Sequence, residues 1–271
     1  MNFLISGLET FEKGFKIEDL ISERTKKVLA KKVLFNPLDE FAGIVAKDFS
    51  VFSILDVIKF VKDAVLKEKL LIEKHEIWVE QTSLNLIYVK MLLNARDNIV
   101  KDNDIGLELE VEINVLAGSV KIDSVTMVMD ANIELSSFSK AESAKKGVES
   151  AVSQIKIEDA VKKLVVEWKG KTGVKYRRLN DKEMTNREVY AHVQAMKITK
   201  KDKDKIMKKL KDEFGLEFKT SMWKFYIFVV RALGQGLVFP KTRDLRRNMH
   251  KMVEAKYVTC YNGNPHEFIG G

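Results

Sequence analysis

The chain has 271 residues, 45% of them apolar and 15 of them Phe, enough for one large core or two modest ones and too hydrophobic for a disordered tail. Its single cysteine, Cys260, rules out an internal disulfide and a multi-thiolate zinc site, which fits a reducing compartment. The net charge of +8 hides an asymmetry: residues 1–135 hold 17 Lys+Arg and 23 Asp+Glu (17 − 23 = −6), and residues 136–271 hold 30 and 16 (30 − 16 = +14).

The apolar start Met1–Leu8 is short and is followed at once by Glu9 and Glu12, unlike a secretory leader. No run approaches the ~20 apolar residues of a membrane span. An intracellular, cytoplasmic protein with no membrane partner is expected.

Residues 16–34 place Ile17, Leu20, Ile21, Val28, Leu29 and Val33 at helical spacing, which predicts a helix ended by Asn36-Pro37. A second helix is predicted from a Ser50 cap to about Lys74, on the stripe Val51, Ile54, Leu55, Ile58, Val61, Val65 and Leu66. The period then changes to two. Leu107, Leu109, Val111, Ile113 and Val115 alternate with Glu108, Glu110, Glu112 and Asn114, a strand with one wet face. With 84–89, a bulged strand over 120–129, and 133–135, this predicts an antiparallel meander from about 77 to 137.

Residues 138–160 are polar, and a two-domain boundary is expected there: 1–137 an acidic α+β region, 138–271 a basic and mainly helical one. Leu164-Val165-Val166-Glu167-Trp168 reads as the first strand of a short hairpin turning at 169–173. Helices follow. Thr185 and Glu188 form a capping box, Thr199 caps a lysine-rich helix ending at Gly215, an aromatic helix spans Trp223 to Leu233, and a basic helix spans about Thr242 to Ala255. The fold class is α+β: N-terminal helices plus an antiparallel meander, then a hairpin and a basic helical region.

The basic helices are the first candidate for function. Arg243, Arg246, Arg247 and Lys251 lie within nine residues, and Lys205, Lys208 and Lys209 sit on the outer face of the upstream helix. Such groups neutralise phosphates and release counterions, giving sequence-independent affinity. A solvated lysine face is the competing reading. A helix-turn-helix made of 199–214 and 220–234 is disfavoured, because its second helix is apolar and aromatic where a recognition helix is polar. Trp223, Phe225, Tyr226 and Phe228 could stack bases, but their helical spacing favours a core position.

Glu167-Trp168-Lys169 at a strand end resembles the last part of the PD-(D/E)xK nuclease motif, with Asp123 or Asp130 as the upstream acid (167 − 123 = 44 and 167 − 130 = 37 residues away). The resemblance covers three residues and implies a bound Mg²⁺ with Glu167 as ligand and Lys169 beside the attacking water. His75, His192, His250 and His266 show no metal-ligand spacing, and His266 with Cys260 is the only thiolate pair conceivable. Walker A, G-x-G-x-x-G and G-x-S-x-G motifs are absent.

The expected function is non-enzymatic association with DNA or RNA through the basic half of a virus- or phage-encoded protein, with no resident metal or cofactor. Two alternatives stand beside it. One is an assembly subunit that self-associates through its oppositely charged halves. The other is the Mg²⁺-dependent nuclease.

Overall fold

The computed structural model describes residues 3–82, 84–100, 103–129, 133–142, 154–172, 179, 181, 183–196, 198–215 and 218–234. Among them are five helices and antiparallel sheets, an α+β fold. The chain forms two compact units that interleave in sequence. The first takes Met1–Ala95, Gly106–Val125 and Ser139–Trp168, the second Arg96–Ile105, Thr126–Phe138 and Lys169–Gly271.

The first unit starts with β1 (Phe3–Ile5) and one 3-10 turn, then β2 (Lys16–Ile21), β3 (Val28–Phe35) and β4 (Phe41–Ala46). Helix α1 (Ile54–Lys67) and strand β5 (Ile72–Glu80) follow, and then the long strands β6 (Leu86–Val100), β7 (Asn103–Asn114), β8 (Ser119–Val128) and β9 (Ile133–Glu142), each of which continues into the second unit. Helix α2 (Gln154–Glu167) closes it. The main sheet has the order β1-β5-β6-β7-β8-β9, and a separate three-stranded sheet has the order β2-β3-β4.

Helix α1 forms as its stripe predicts. Ile54, Val57, Ile58, Val61, Ala64 and Val65 are buried, the i, i+3, i+4 series of one face. Its cap is Ser53, whose side chain accepts from the backbone N–H of Asp56, three residues beyond the expected Ser50. The helix packs against α2, which buries Ile157, Ala160, Val161, Leu164 and Val165. Each buried Ile, Leu or Val among these contributes about 1.5–3 kcal/mol on leaving water.

Four sequence expectations do not hold. The helix expected to run to about Lys74 ends at Lys67, and Ile72 already opens β5. Residues 16–34 are not a helix but the antiparallel pair β2–β3, paired from Lys16↔Phe35 to Ile21↔Val28 with a register shift between Asp19 and Ile21. The apolar spacing satisfied a helix, yet Ile17, Ile21, Val28 and Val33 are β-branched residues that pack well on a pleated surface. Residues 164–167 are the last turn of α2 and not a strand, because the apolar series from Ile157 continues at 3.6-residue spacing through Val165. The polar face of β7 is not wet either. Glu108 is 6% exposed and Glu110 1%, and Lys90 of β6, 3.6 Å from Glu108, and Asp123 of β8 are also buried. Leu107, Leu109, Val111 and Ile113 fill the opposite face as expected.

In the second unit β10 (Glu183–Thr185) pairs antiparallel with β11 (Lys219–Ser221), with Met184 opposite Thr220. Between them lie α3 (Asn186–Ala195) and α4 (Lys200–Phe214), and α5 (Met222–Gly234) follows β11 directly. The capping box at α3 is complete: the Thr185 side chain accepts from the Glu188 backbone N–H, and Glu188 reaches back to the Thr185 N–H. Thr199 caps α4, and Gly215 ends it at φ +78°, a left-handed conformation that costs glycine little. Trp223, Phe225, Tyr226 and Phe228 of α5 are 0–5% exposed, so the aromatic stripe is core. Phe214 contacts Phe218 at 5.1 Å and Phe228 at 5.7 Å between ring centroids, tying α4 to α5. Among the described residues no helix is long and apolar enough to cross a membrane.

Candidate nucleic-acid interface

The lysine-rich sequence of α4 folds as one amphipathic helix because its few apolar residues recur at four-residue steps. Ile206 and Leu210 are buried, and Phe214 makes the ring contacts above. That anchoring turns Lys200, Lys201, Lys205, Lys208 and Lys211 to solvent. Lys201, Lys205 and Lys208 follow the i, i+4, i+7 series and so form one stripe. Seven residues of helix rise span ~10 Å, or roughly three phosphate steps of one strand at 3.4 Å of axial rise each. Among the described residues no carboxylate is ion-paired to any of these five lysines.

The rest of the helix is arranged differently. Lys203 is half-buried and its ammonium donates to the backbone carbonyl of Gln194 at 2.6 Å, near the C-terminus of α3, where the helix dipole favours a cation. Lys209 is half-buried. Asp204 and Asp212 are exposed, spaced i, i+4 from Lys208 on either side. The solvent-facing charge of α4 is therefore cationic but not uniformly so. The two helices α3 and α4 are joined by residues 196–199, in which Met196 is 7% exposed.

Of the residues expected to bind nucleic acid, Lys205 and Lys208 are thus on an open face and Lys209 is at its margin. Arg243, Arg246, Arg247 and Lys251, with the predicted helix 242–255, lie outside the described residues.

The nuclease constellation loses its geometric basis at the strand end. Glu167 is the last residue of α2, where successive residues turn ~100°, so a Glu and a Lys two positions apart do not share a face as they would on a strand. Trp168 between them is 4% exposed and Lys169 is exposed in the π-turn Trp168–Thr172. Asp123 is on β8 and 6% exposed, and Asp130 lies outside the described residues. Among the described residues no group of three or more His, Cys, Asp and Glu is placed to hold a metal ion. His75 is exposed on β5 and His192 half-buried on α3, while His250, His266 and Cys260 lie outside the described residues.

One charged feature escaped the sequence reading. Arg24, Lys26, Lys27, Lys31 and Lys32 fall within nine residues of the acidic half, with Glu23 the only acid from 20 to 32 (5 − 1 = +4). Averaging over residues 1–135 concealed it, and a local charge window would have found it. No protein-family model, curated protein or solved structure matches the chain.

Proposed function

We propose that the protein binds the phosphate backbone of nucleic acid through its basic C-terminal half. The observation that carries this reading is the α4 stripe, Lys201, Lys205 and Lys208, held toward solvent by the burial of Ile206 and Leu210. The charge of +14 over residues 136–271 and the clustering of Arg243, Arg246, Arg247 and Lys251 support it from the sequence. Contacts of this kind bind by counterion release and carry no sequence preference.

The test is binding to labelled duplex and single-stranded probes across a salt series. The expected result is an affinity that falls steeply with salt. A Lys201→Glu/Lys205→Glu/Lys208→Glu variant is expected to bind more weakly, with a salt slope shallower by about one for each phosphate it no longer neutralises. A salt-independent affinity, or a variant that binds as the parent does, overturns the reading.

Self-association through oppositely charged halves is the second reading. It draws on the −6 and +14 split and on the exposure of Phe41 (60%) and Ile44 (52%) on the small sheet. It requires oligomers that form without nucleic acid and come apart as salt rises, which light scattering on the protein alone would detect.

A further inference from the structure

The three-stranded sheet narrows at one end. β4 pairs with β3 from Phe35↔Phe41 to Lys31↔Ala46 and no further, whereas β2 and β3 stay paired to Ile21↔Val28. Residues beyond Lys31 therefore belong to a ribbon of only two strands. Every residue from Ile21 to Lys31 is exposed except the half-buried Ser22. The tip is nonetheless ordered by its own hydrogen bonds. Ser22 N–H donates to the Lys27 carbonyl at 3.0 Å, Lys26 N–H to the Ser22 carbonyl at 2.8 Å, and Thr25 N–H to the Ser22 hydroxyl at 3.3 Å.

This ribbon carries two things that water does not reward together. Arg24, Lys26, Lys27 and Lys31 are all exposed, and among the described residues none is ion-paired to a carboxylate. Ile21, Val28 and Leu29 are exposed by 55%, 54% and 41%. The cation at the base is spoken for: Lys16 meets Asp39 at 2.5 Å, and this ammonium holds the Asp39 carboxyl below its ordinary range. The exposed stretch 21–31 holds Arg24, Lys26, Lys27 and Lys31 against Glu23 (4 − 1 = +3), a cationic island in a half of the chain whose total is −6, so its partner is anionic.

We propose that the β2–β3 ribbon is a second nucleic-acid contact that enters the major groove of duplex DNA. A B-form major groove, about 12 Å wide, admits a two-stranded ribbon, whereas the A-form groove of duplex RNA is too narrow. Arg24, Lys27 and Lys31 neutralise phosphates at the groove edges. Ile21, Val28 and Leu29 lie against sugars and thymine methyl groups. A lipid surface fits less well, because the charged loop 23–27 and not the apolar residues reaches farthest. The choice of ligand rests on the nucleic-acid reading above; the ribbon itself lies in the other unit from α4.

The test uses the full chain and a labelled duplex of about 25 base pairs, a length that gives a ribbon and its flanks room to bind. The ribbon variant is Arg24→Glu/Lys27→Glu/Lys31→Glu, which leaves Lys26 in place because its φ of +53° makes that backbone position sensitive. Circular dichroism confirms that its melting temperature matches the parent's. The expected result is an affinity at least tenfold lower at about 0.1 M salt, with the salt slope reduced by about two to three. An Ile21→Ser/Leu29→Ser variant keeps the slope and loses affinity several-fold. A ribbon variant that binds duplex with the parent's affinity and slope overturns the inference, and so does equal binding of duplex RNA. Loss in the α4 variant with none in the ribbon variant sinks the ribbon alone. The opposite pattern sinks the α4 reading alone, and a parent chain that binds no duplex sinks both. Vesicles rich in phosphatidylserine are the last arm: binding to them that the ribbon variant loses, without a change on DNA, assigns the ribbon to a membrane surface and overturns the groove.

Discussion

Lys90 of β6 and Glu108 of β7 stand 3.6 Å apart with only 10% and 8% of their side chains exposed. An ion pair taken this far from water is expensive to break from one side, since the remaining charge stays buried. Lys90→Met is expected to cost about 3 kcal/mol. The double change Lys90→Met/Glu108→Leu is expected to cost less than the sum of the two single changes. Urea unfolding of the four proteins closes the cycle, and strict additivity would show that the two groups do not sense each other.

The same layer explains how far the sequence could be read. The strand 107–115 was legible from its alternation, and its apolar side faces the core as expected. The carboxylate side looked wet because Glu at every second position is the signature of a solvated face. Nothing local announces that Lys90, on a different strand, is buried against it. The ribbon failed for a different reason. Its turn, Ser22-Glu23-Arg24-Thr25-Lys26-Lys27, contains no Gly, Pro or Asn, and Lys26 takes the positive φ itself, so the usual marks of a hairpin are missing. By contrast α3 and α4 were legible to within a residue, because Thr185, Glu188, Thr199 and Gly215 act through chemistry that is local in sequence. For the candidate site this meant that the α4 lysines could be placed from sequence and the ribbon cations could not.

Those caps give the second test. Thr185→Ala removes the acceptor of the Glu188 N–H at the start of α3 and is expected to cost about 1 kcal/mol. Gly215→Ala meets nothing within 4 Å, so any loss comes from the backbone alone, about 1–3 kcal/mol for a side chain forced to φ +78° and ψ −157°. Each loss is read in thermal or urea melts of the single variant against the parent.

Glu76 of β5 gives the pH test. Lys74 lies 2.6 Å away and its hydrogen bond holds the Glu76 carboxyl below the ordinary value of 4.5. A carboxyl lowered in the folded state stabilises it above the unfolded value, and this contribution is lost as pH falls from there through the lowered folded value. Glu76→Gln is therefore expected to lower the melting temperature near neutral pH and to converge on the parent in acid. A gap that widens as pH falls would reverse the sign of the argument.

The interleaving of the two units bears on how this chain can be taken apart. It passes from one unit to the other five times, after residues 95, 105, 125, 138 and 168. A single cut anywhere leaves at least one fragment short of part of its own core. A fragment ending at 137, for instance, lacks α2, the helix against which α1 packs. Neither unit can therefore be excised or exchanged at a single breakpoint: a cut that frees one divides the other.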